Sequence, residues 1–420
     1  MTQAVPLATL SRAHFSRTLH AVSTAFTMIL LLAFPLLGSQ RAAAQTSSSH
    51  TSLRRGHRVG LGKVLTSANG GLIFGFDVDQ NGLDGIVDDA VELNNGGLKS
   101  AIETFDIKTG KITKTVKKVT SSTGGHELVT FGIAGNDIGL VDEERSTFKN
   151  GKVRRNDLFY VLNPVSGNAI TGPWTVPHPK GSVLTQLAAN QATDTQVALV
   201  YRNAPNFNLV PYLYVTDLAT NTLLKSIKLG AFEDNLLLQI AQDSTTNEAA
   251  TFIDSYPGGP PPVNVVIDLK TGDIRTFNGF NNGPYGAGAI SGSAIDSTTD
   301  ILCTTTNLNA QVEFYNISSG KGRWAQLPDT GSGDELTSGT AVTNDSIHHL
   351  FLVAQPVSST GGASAVYVYN EKGIAKETIN GFSFNRDYPT SFGVKIAINP
   401  KLRIGWVNGA DQTQLQQFYY

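Results

Sequence analysis

Three carboxylates and an asparagine crowd into Asp77-Val-Asp79-Gln-Asn81-Gly82-Leu-Asp84-Gly85. Alternating Asp and Asn followed by glycine is how a loop wraps a hard cation, and Ca²⁺ is the ion such donors would take. The spacing departs from the two common calcium loops. An EF-hand wants a hydrophobic residue where Asp84 sits and a bidentate Glu where Asp88 sits, and D-x-D-x-N-G-x-x-D loops want an acid at Gly85. Asp77, Asp79, Asn81 and Asp84 are therefore candidate metal ligands, weighed against a plainer reading as one of several equivalent turns. The most charged stretch, Asp142-Glu-Glu-Arg-Ser-Thr-Phe-Lys-Asn-Gly-Lys-Val-Arg-Arg-Asn-Asp157, carries both signs. It reads as a solvated extended hairpin or as a projection that binds a partner.

Other chemistry-bearing residues are less promising. His348 and His349 are adjacent, and neighbours on a strand point to opposite faces, so the pair reads as structural rather than chelating. Gly283, Gly286, Gly288 and Gly292 form a glycine-rich stretch without G-x-G-x-x-G spacing or a following helical pattern. The chain has no G-x-S-x-G elbow, no H-E-x-x-H and no G-K-[ST] phosphate loop.

Composition narrows the setting. Of 420 residues 40% are hydrophobic and only 16% are charged, which excludes disorder, and 42 glycines favour turn-rich β structure. The formal charge of −2 gives no basic footprint for nucleic acid. One cysteine, Cys303, excludes a disulfide framework and reads as a buried strand residue. Arg12 and Arg17 precede an uncharged stretch, Ala21 to Gly38, followed by Ala42-Ala43-Ala44. That order reads as a signal peptide over residues 1–44, leaving a linker over 45–57 and an exported chain, periplasmic or extracellular. Ser23, Thr24, Thr27 and Pro35 argue against a retained membrane anchor, so no integral membrane segment is expected after cleavage.

The elements that would position any site repeat at a fixed period. Paired β runs flank turns at Gly110, Gly167, Asn221, Gly272, Gly320 and Gly373, in steps of 57, 54, 51, 48 and 53. A second series of polar turns falls at Asp79, Asn136, Asn190, Asp243, Asp296, Asn344 and Asn399. Two hairpin turns per repeat make a four-stranded blade, and such repeats close radially. The chain ends before a seventh turn of the first series. The last blade then stops on its third strand, Gln414–Tyr420, and Arg58–Leu65 is expected to supply its outer strand. The expected fold is all-β over 58–420: a seven-bladed β-propeller of four-stranded antiparallel blades. Its ring is closed by an N-terminal strand completing the C-terminal blade.

The repeat Val215-Thr-Asp-Leu-Ala-Thr-Asn-Thr-Leu-Leu-Lys-Ser-Ile-Lys-Leu-Gly230 resembles the YVTN-type repeat of bacterial surface-layer and lactonase-like propellers. The likeness is close over those sixteen residues, and the other blades share at most a V-x-D-x-x-T-G skeleton. It implies an exported bacterial propeller; that family holds both enzymes and non-enzymes, so it names no activity.

In a propeller the blade-to-blade connections lie opposite the Asp79 series, around the channel mouth. They carry His126 and Glu127, His178 with Lys180, Glu233 and Asp234, Tyr285, Asp334 and Glu335, and Asp387 and Tyr388. A titratable group from six consecutive blades near one axis is where binding loops belong, although exposed loops are polar in any case. The function expected is a non-enzymatic binding or scaffold module working through that mouth. Its partner would be a protein, a glycan or a small molecule. The alternative is a lactonase-like hydrolase using the acidic and histidine residues around the channel.

Overall fold

The computed structural model describes residues 58–420, apart from 68–69, 81, 93–97, 122–125, 132–138, 150–151, 163–168, 175–182, 191–194, 204–208, 218–219, 221, 230–236, 243–247, 254–262, 279–289, 297, 307–310, 328–340, 356–363, 383–394 and 409–412. From residue 126 to 194 only the backbone is described. The chain divides after Ser48 into two units, and the fold concerns the second, Ser49–Tyr420.

Among the described residues, 28 strands form seven antiparallel sheets of four. The first strand, β1 (Gly60–Thr66), belongs to the last sheet. The first sheet in chain order is β2 (Leu72–Val78), β3 (Asp84–Glu92), β4 (Leu98–Asp106) and β5 (Lys111–Ser121). The second is β6 (His126–Phe131), β7 (Gly139–Lys149), β8 (Lys152–Leu162) and β9 (Ala169–Trp174). The third is β10 (Val183–Asn190), β11 (Thr195–Asn203), β12 (Leu209–Asp217) and β13 (Thr222–Lys228), and the fourth β14 (Leu237–Gln242), β15 (Glu248–Ile253), β16 (Val263–Asp268) and β17 (Ile274–Asn278). The fifth is β18 (Ile290–Asp296), β19 (Ile301–Thr306), β20 (Gln311–Asn316) and β21 (Lys321–Gln326). The sixth is β22 (Ala341–Asp345), β23 (Leu350–Gln355), β24 (Ser364–Asn370) and β25 (Ala375–Phe382). The seventh has β26 (Ile396–Asn399), β27 (Ile404–Asn408), β28 (Gln414–Tyr419) and, as its outer strand, β1.

The seventh sheet joins the two ends of the described chain. β1 runs antiparallel to β28 from Gly60 opposite Tyr419 to Thr66 opposite Gln414, as the missing last turn predicted. The first strands contact one another in order, β2 with β6 and so on to β22 with β26, and β26 contacts β2.

Burial follows from this stacking. β24, Ser-Ala-Val-Tyr-Val-Tyr-Asn, is buried along its whole length because sheets cover both of its faces. The outer strand β25 is mostly exposed instead, with only Ile379 and Phe382 buried. Apolar clusters fill the spaces between successive sheets, such as Cys303, Phe314, Phe351 and Tyr367 between the fifth and sixth. Cys303 is the buried strand residue expected of it. Trp406 of the seventh sheet is fully buried against Phe105 of the first, edge to face at 5.2 Å, and its indole N–H donates to the Ile107 carbonyl. Phe105 in turn lies over Gly85 of the adjacent strand, where a Cβ would sit 2.3 Å from the ring.

Among the described residues, the recurring turns have a chemical cause. The carboxylate of Asp106 accepts from the amides of Lys108 and Thr109 and the Thr109 hydroxyl, and Gly110 follows at φ +68. Asp217 caps Thr220, and Asp268 caps Lys270 and Thr271, in the same way. This is the Asx turn, and the D-x-x-T-G skeleton is its sequence trace. One anchor of the other series lies a residue later than the sequence spacing put it. Asp345, not Asn344, caps the β22–β23 turn by accepting from the amides of Ile347 and His348.

Candidate functional site

The turns between first and second strands meet at one end of the sheets. Asn399 of the seventh sheet donates to the carbonyls of Asp79 and Gly82 in the first, at 2.7 and 2.8 Å. Tyr420 donates to Asp345 of the sixth at 3.0 Å. His349 of the sixth meets the fully buried Asp296 of the fifth at 3.1 Å. Burial and the Asp345 carboxylate push the Tyr420 hydroxyl far up, so it stays a donor. His348 pairs with its own Asp345 at 2.8 Å. The two histidines are structural, as expected, but the reason differs. They sit in a turn rather than on a strand, and each ring has its own carboxylate. His349 itself adopts φ +54, matched by Asp300 and Arg403 at the equivalent turn positions of neighbouring sheets.

The acid-rich turn lies at this same end. Asp79 is buried and its carbonyl is held by Asn399, while the Asp77 carboxylate accepts from the amide of Val78. Burial, then the carboxylates of Asp106 and Asp79, raises the pKa of Asp84 above the ordinary carboxylate range. Asn81 lies outside the described residues. Among the described residues, no three His, Cys, Asp or Glu side chains converge as a metal site.

The sequence-predicted mouth residues are located by chain order. Each falls in or beside a connection from one sheet's outer strand to the next sheet's first strand. His178 follows β9, Glu233 and Asp234 follow β13, and Tyr285 follows β17. Asp334 and Glu335 follow β21, and Asp387 and Tyr388 follow β25. All eight lie outside the described residues. His126 and Glu127 open β6, opposite Glu143 and Asp142 of β7. Sequence reasoning placed the capping acids only as turn markers and missed the inter-sheet roles of His349, Tyr420 and Asn399. No periodicity flags a contact between neighbouring repeats.

The charged stretch is the extended hairpin that its sequence suggested. β7 and β8 pair without interruption from Gly139 opposite Leu162 to Lys149 opposite Lys152. β6 pairs with β7 only as far as Glu143, and β9 pairs with β8 only from Phe159. Residues 144–149 and 152–157 thus form a two-stranded ribbon that no described strand flanks. It rises from the end where β6 begins, beyond His126.

No helix among the described residues is long and apolar enough to cross a membrane. No family model matches this sequence, and no curated protein matches it. Solved structures do. The chain is similar to the β-propeller domain of Cps50 (Swd1) from Myceliophteria thermophila, with a TM-score of 0.52 at 9% identity over 86% of this chain and 99% of that one. It is also similar to U3-55K, with a TM-score of 0.55 at 9% identity over 85% and 98%. The Dos1 propeller gives 0.55 at 9% identity over 86% and 95%.

The expectation of an exported bacterial protein, periplasmic or extracellular, is corrected at this point. The solved structures named above are the Swd1, U3-55K and Dos1 propellers, and no family model, of the YVTN type or any other, matches. The physical reason is plain in the turns. The sixteen residues from Val215 make a capped hairpin of the kind that also serves at Asp106 and Asp268, so the motif reports the hairpin and not an address. What the chain shares with solved structures is a β-propeller fold.

Proposed function

We propose that this chain is a seven-bladed propeller, closed by its N-terminal strand, that acts as a binding or scaffold module rather than an enzyme. Its working surface is the end carrying the outer-to-inner connections. The feature that supports this is the chain order: between one sheet's outer strand and the next sheet's first strand the sequence places His178, Glu233, Asp234, Tyr285, Asp334, Glu335, Asp387 and Tyr388, repeated on a frame of four-stranded sheets. Long variable connections on such a frame suit recognition of a protein, a glycan or a small molecule.

The test uses single Ala substitutions at Glu233, Asp334 and Asp387 in the full chain. A glycan and small-molecule array would be read for binding, with lactone hydrolysis measured in parallel. Binding that one or more substitutions abolish, without turnover, supports the module. Lactone turnover that the same substitutions remove replaces it with the hydrolase. If neither activity responds to any of the three, the mouth is not the site.

A further inference from the structure

The ribbon of β7 and β8 has a property its mixed composition hides. Opposite residues in an antiparallel pair share a face, and successive residues alternate between faces. The observed register therefore puts Arg145 with Asn156, Thr147 with Arg154, and Lys149 with Lys152 on one face. The other face holds both acids, Glu144 opposite Asp157, together with Ser146–Arg155 and Phe148–Val153. Within the ribbon the register leaves every charged residue of one face cationic, with Glu143 at its base the nearest acid on that face, and makes the other face mixed.

Three further features bear on what the ribbon does. It extends six residues past its last flanking strand, about 20 Å at the usual rise per residue. An unsupported two-stranded hairpin of that kind is marginal in water. Its pairing has no register shift, whereas the lysine-rich outer strand β5 is bulged at Thr113 and at Val116, which spoils that edge for strand addition. The ribbon thus offers two regular edges, one cationic face and little stability of its own.

We propose that the ribbon is a docking site for an acidic, extended protein segment that adds to one of its edges and sets its carboxylates against Arg145, Lys149, Lys152 and Arg154. Backbone pairing would supply affinity and the four cations would select the partner. A nucleic acid is the less suitable occupant. The cationic face has no aromatic residue on which a base could stack, and the whole chain is net negative. This surface is separate from the channel-mouth residues, and neither reading requires the other.

The test compares two adjacent arginines on opposite faces in the full chain, Arg154→Glu and Arg155→Glu. The probe is a fluorescent alternating glutamate–valine peptide of about twelve residues, long enough to span the ribbon. Controls are the matching lysine–valine peptide, the acidic peptide N-methylated at alternate residues, and a single-stranded oligonucleotide. The expected result is binding of the acidic peptide that Arg154→Glu weakens about tenfold or more and Arg155→Glu much less, with N-methylation abolishing it. Equal losses from the two substitutions would overturn the face assignment. Undiminished binding of the N-methylated peptide would overturn edge addition. Tighter binding of the oligonucleotide, or no binding of the acidic peptide, overturns the proposal itself. Thermal melts of both variants guard against misfolding; an Arg154→Glu chain that does not fold is replaced by Lys149→Gln or Arg145→Gln on its face, and an Arg155→Glu chain by Arg155→Gln.

Discussion

At the scale of single residues, Asp84 is where charge works against the fold. The pKa of its carboxyl is raised by burial and by Asp106 and Asp79, so the folded state holds that proton more tightly than the unfolded chain does. Its contribution to stability is complete below the ordinary carboxylate range and is lost as pH rises through the raised value. Asp84→Asn is therefore expected to raise the melting temperature at pH 7, with the gain fading near about pH 3. Melts in calcium and in chelator extend the test. A bound Ca²⁺ would reverse the sign, making Asp84→Asn destabilising only when calcium is present. His349 poses the opposite case, a favourable contact in a strained backbone. Replacing it with Ala strips a partner from the fully buried Asp296 while keeping the positive φ, and should cost about 1–3 kcal/mol in urea unfolding. His349→Gly, which tolerates that φ, should cost less.

At the scale of elements, the outer strand contributed by the N-terminal region closes the last sheet. Removing everything before residue 68 leaves β28 with an open edge and takes Leu65 from the cluster around Trp406 and Phe105. The truncated chain should melt well below the intact one, and an unchanged melt would mean that β1 does not complete the sheet. Trp406→Phe should cost about 1–2 kcal/mol, since it keeps most of the packing and loses the bond to Ile107. The strands, their sevenfold period and the β1–β28 pairing were legible in the sequence. The strands and their period rest on a local device that leaves a residue trace, the Asx cap seen at Asp106 and Asp268 with its following glycine, and the pairing was read from the count of those turns. Where the device moved by one residue, as from Asn344 to Asp345, the spacing alone misplaced it. Contacts between repeats, such as Asn399 on Asp79 or Tyr420 on Asp345, leave no periodic mark. The face sorting of the 142–157 hairpin was also hidden, because it depends on which residue of β8 stands opposite which of β7.

At the scale of the whole molecule, residues from the two ends of the described chain build one sheet, the basis of the proposed ring closure. Val64 of β1 stands opposite Gln416 of β28, and the protein's lone cysteine is buried in the fifth sheet. The double substitution Val64→Cys with Gln416→Cys therefore tests the closure without interference. Under mild oxidation a disulfide within one chain is expected, seen as faster migration on a non-reducing gel. A higher unfolding midpoint is expected as well, because the bridge restricts a very long stretch of the unfolded chain. Free thiols after oxidation, or cross-links only between separate molecules, would contradict the closure.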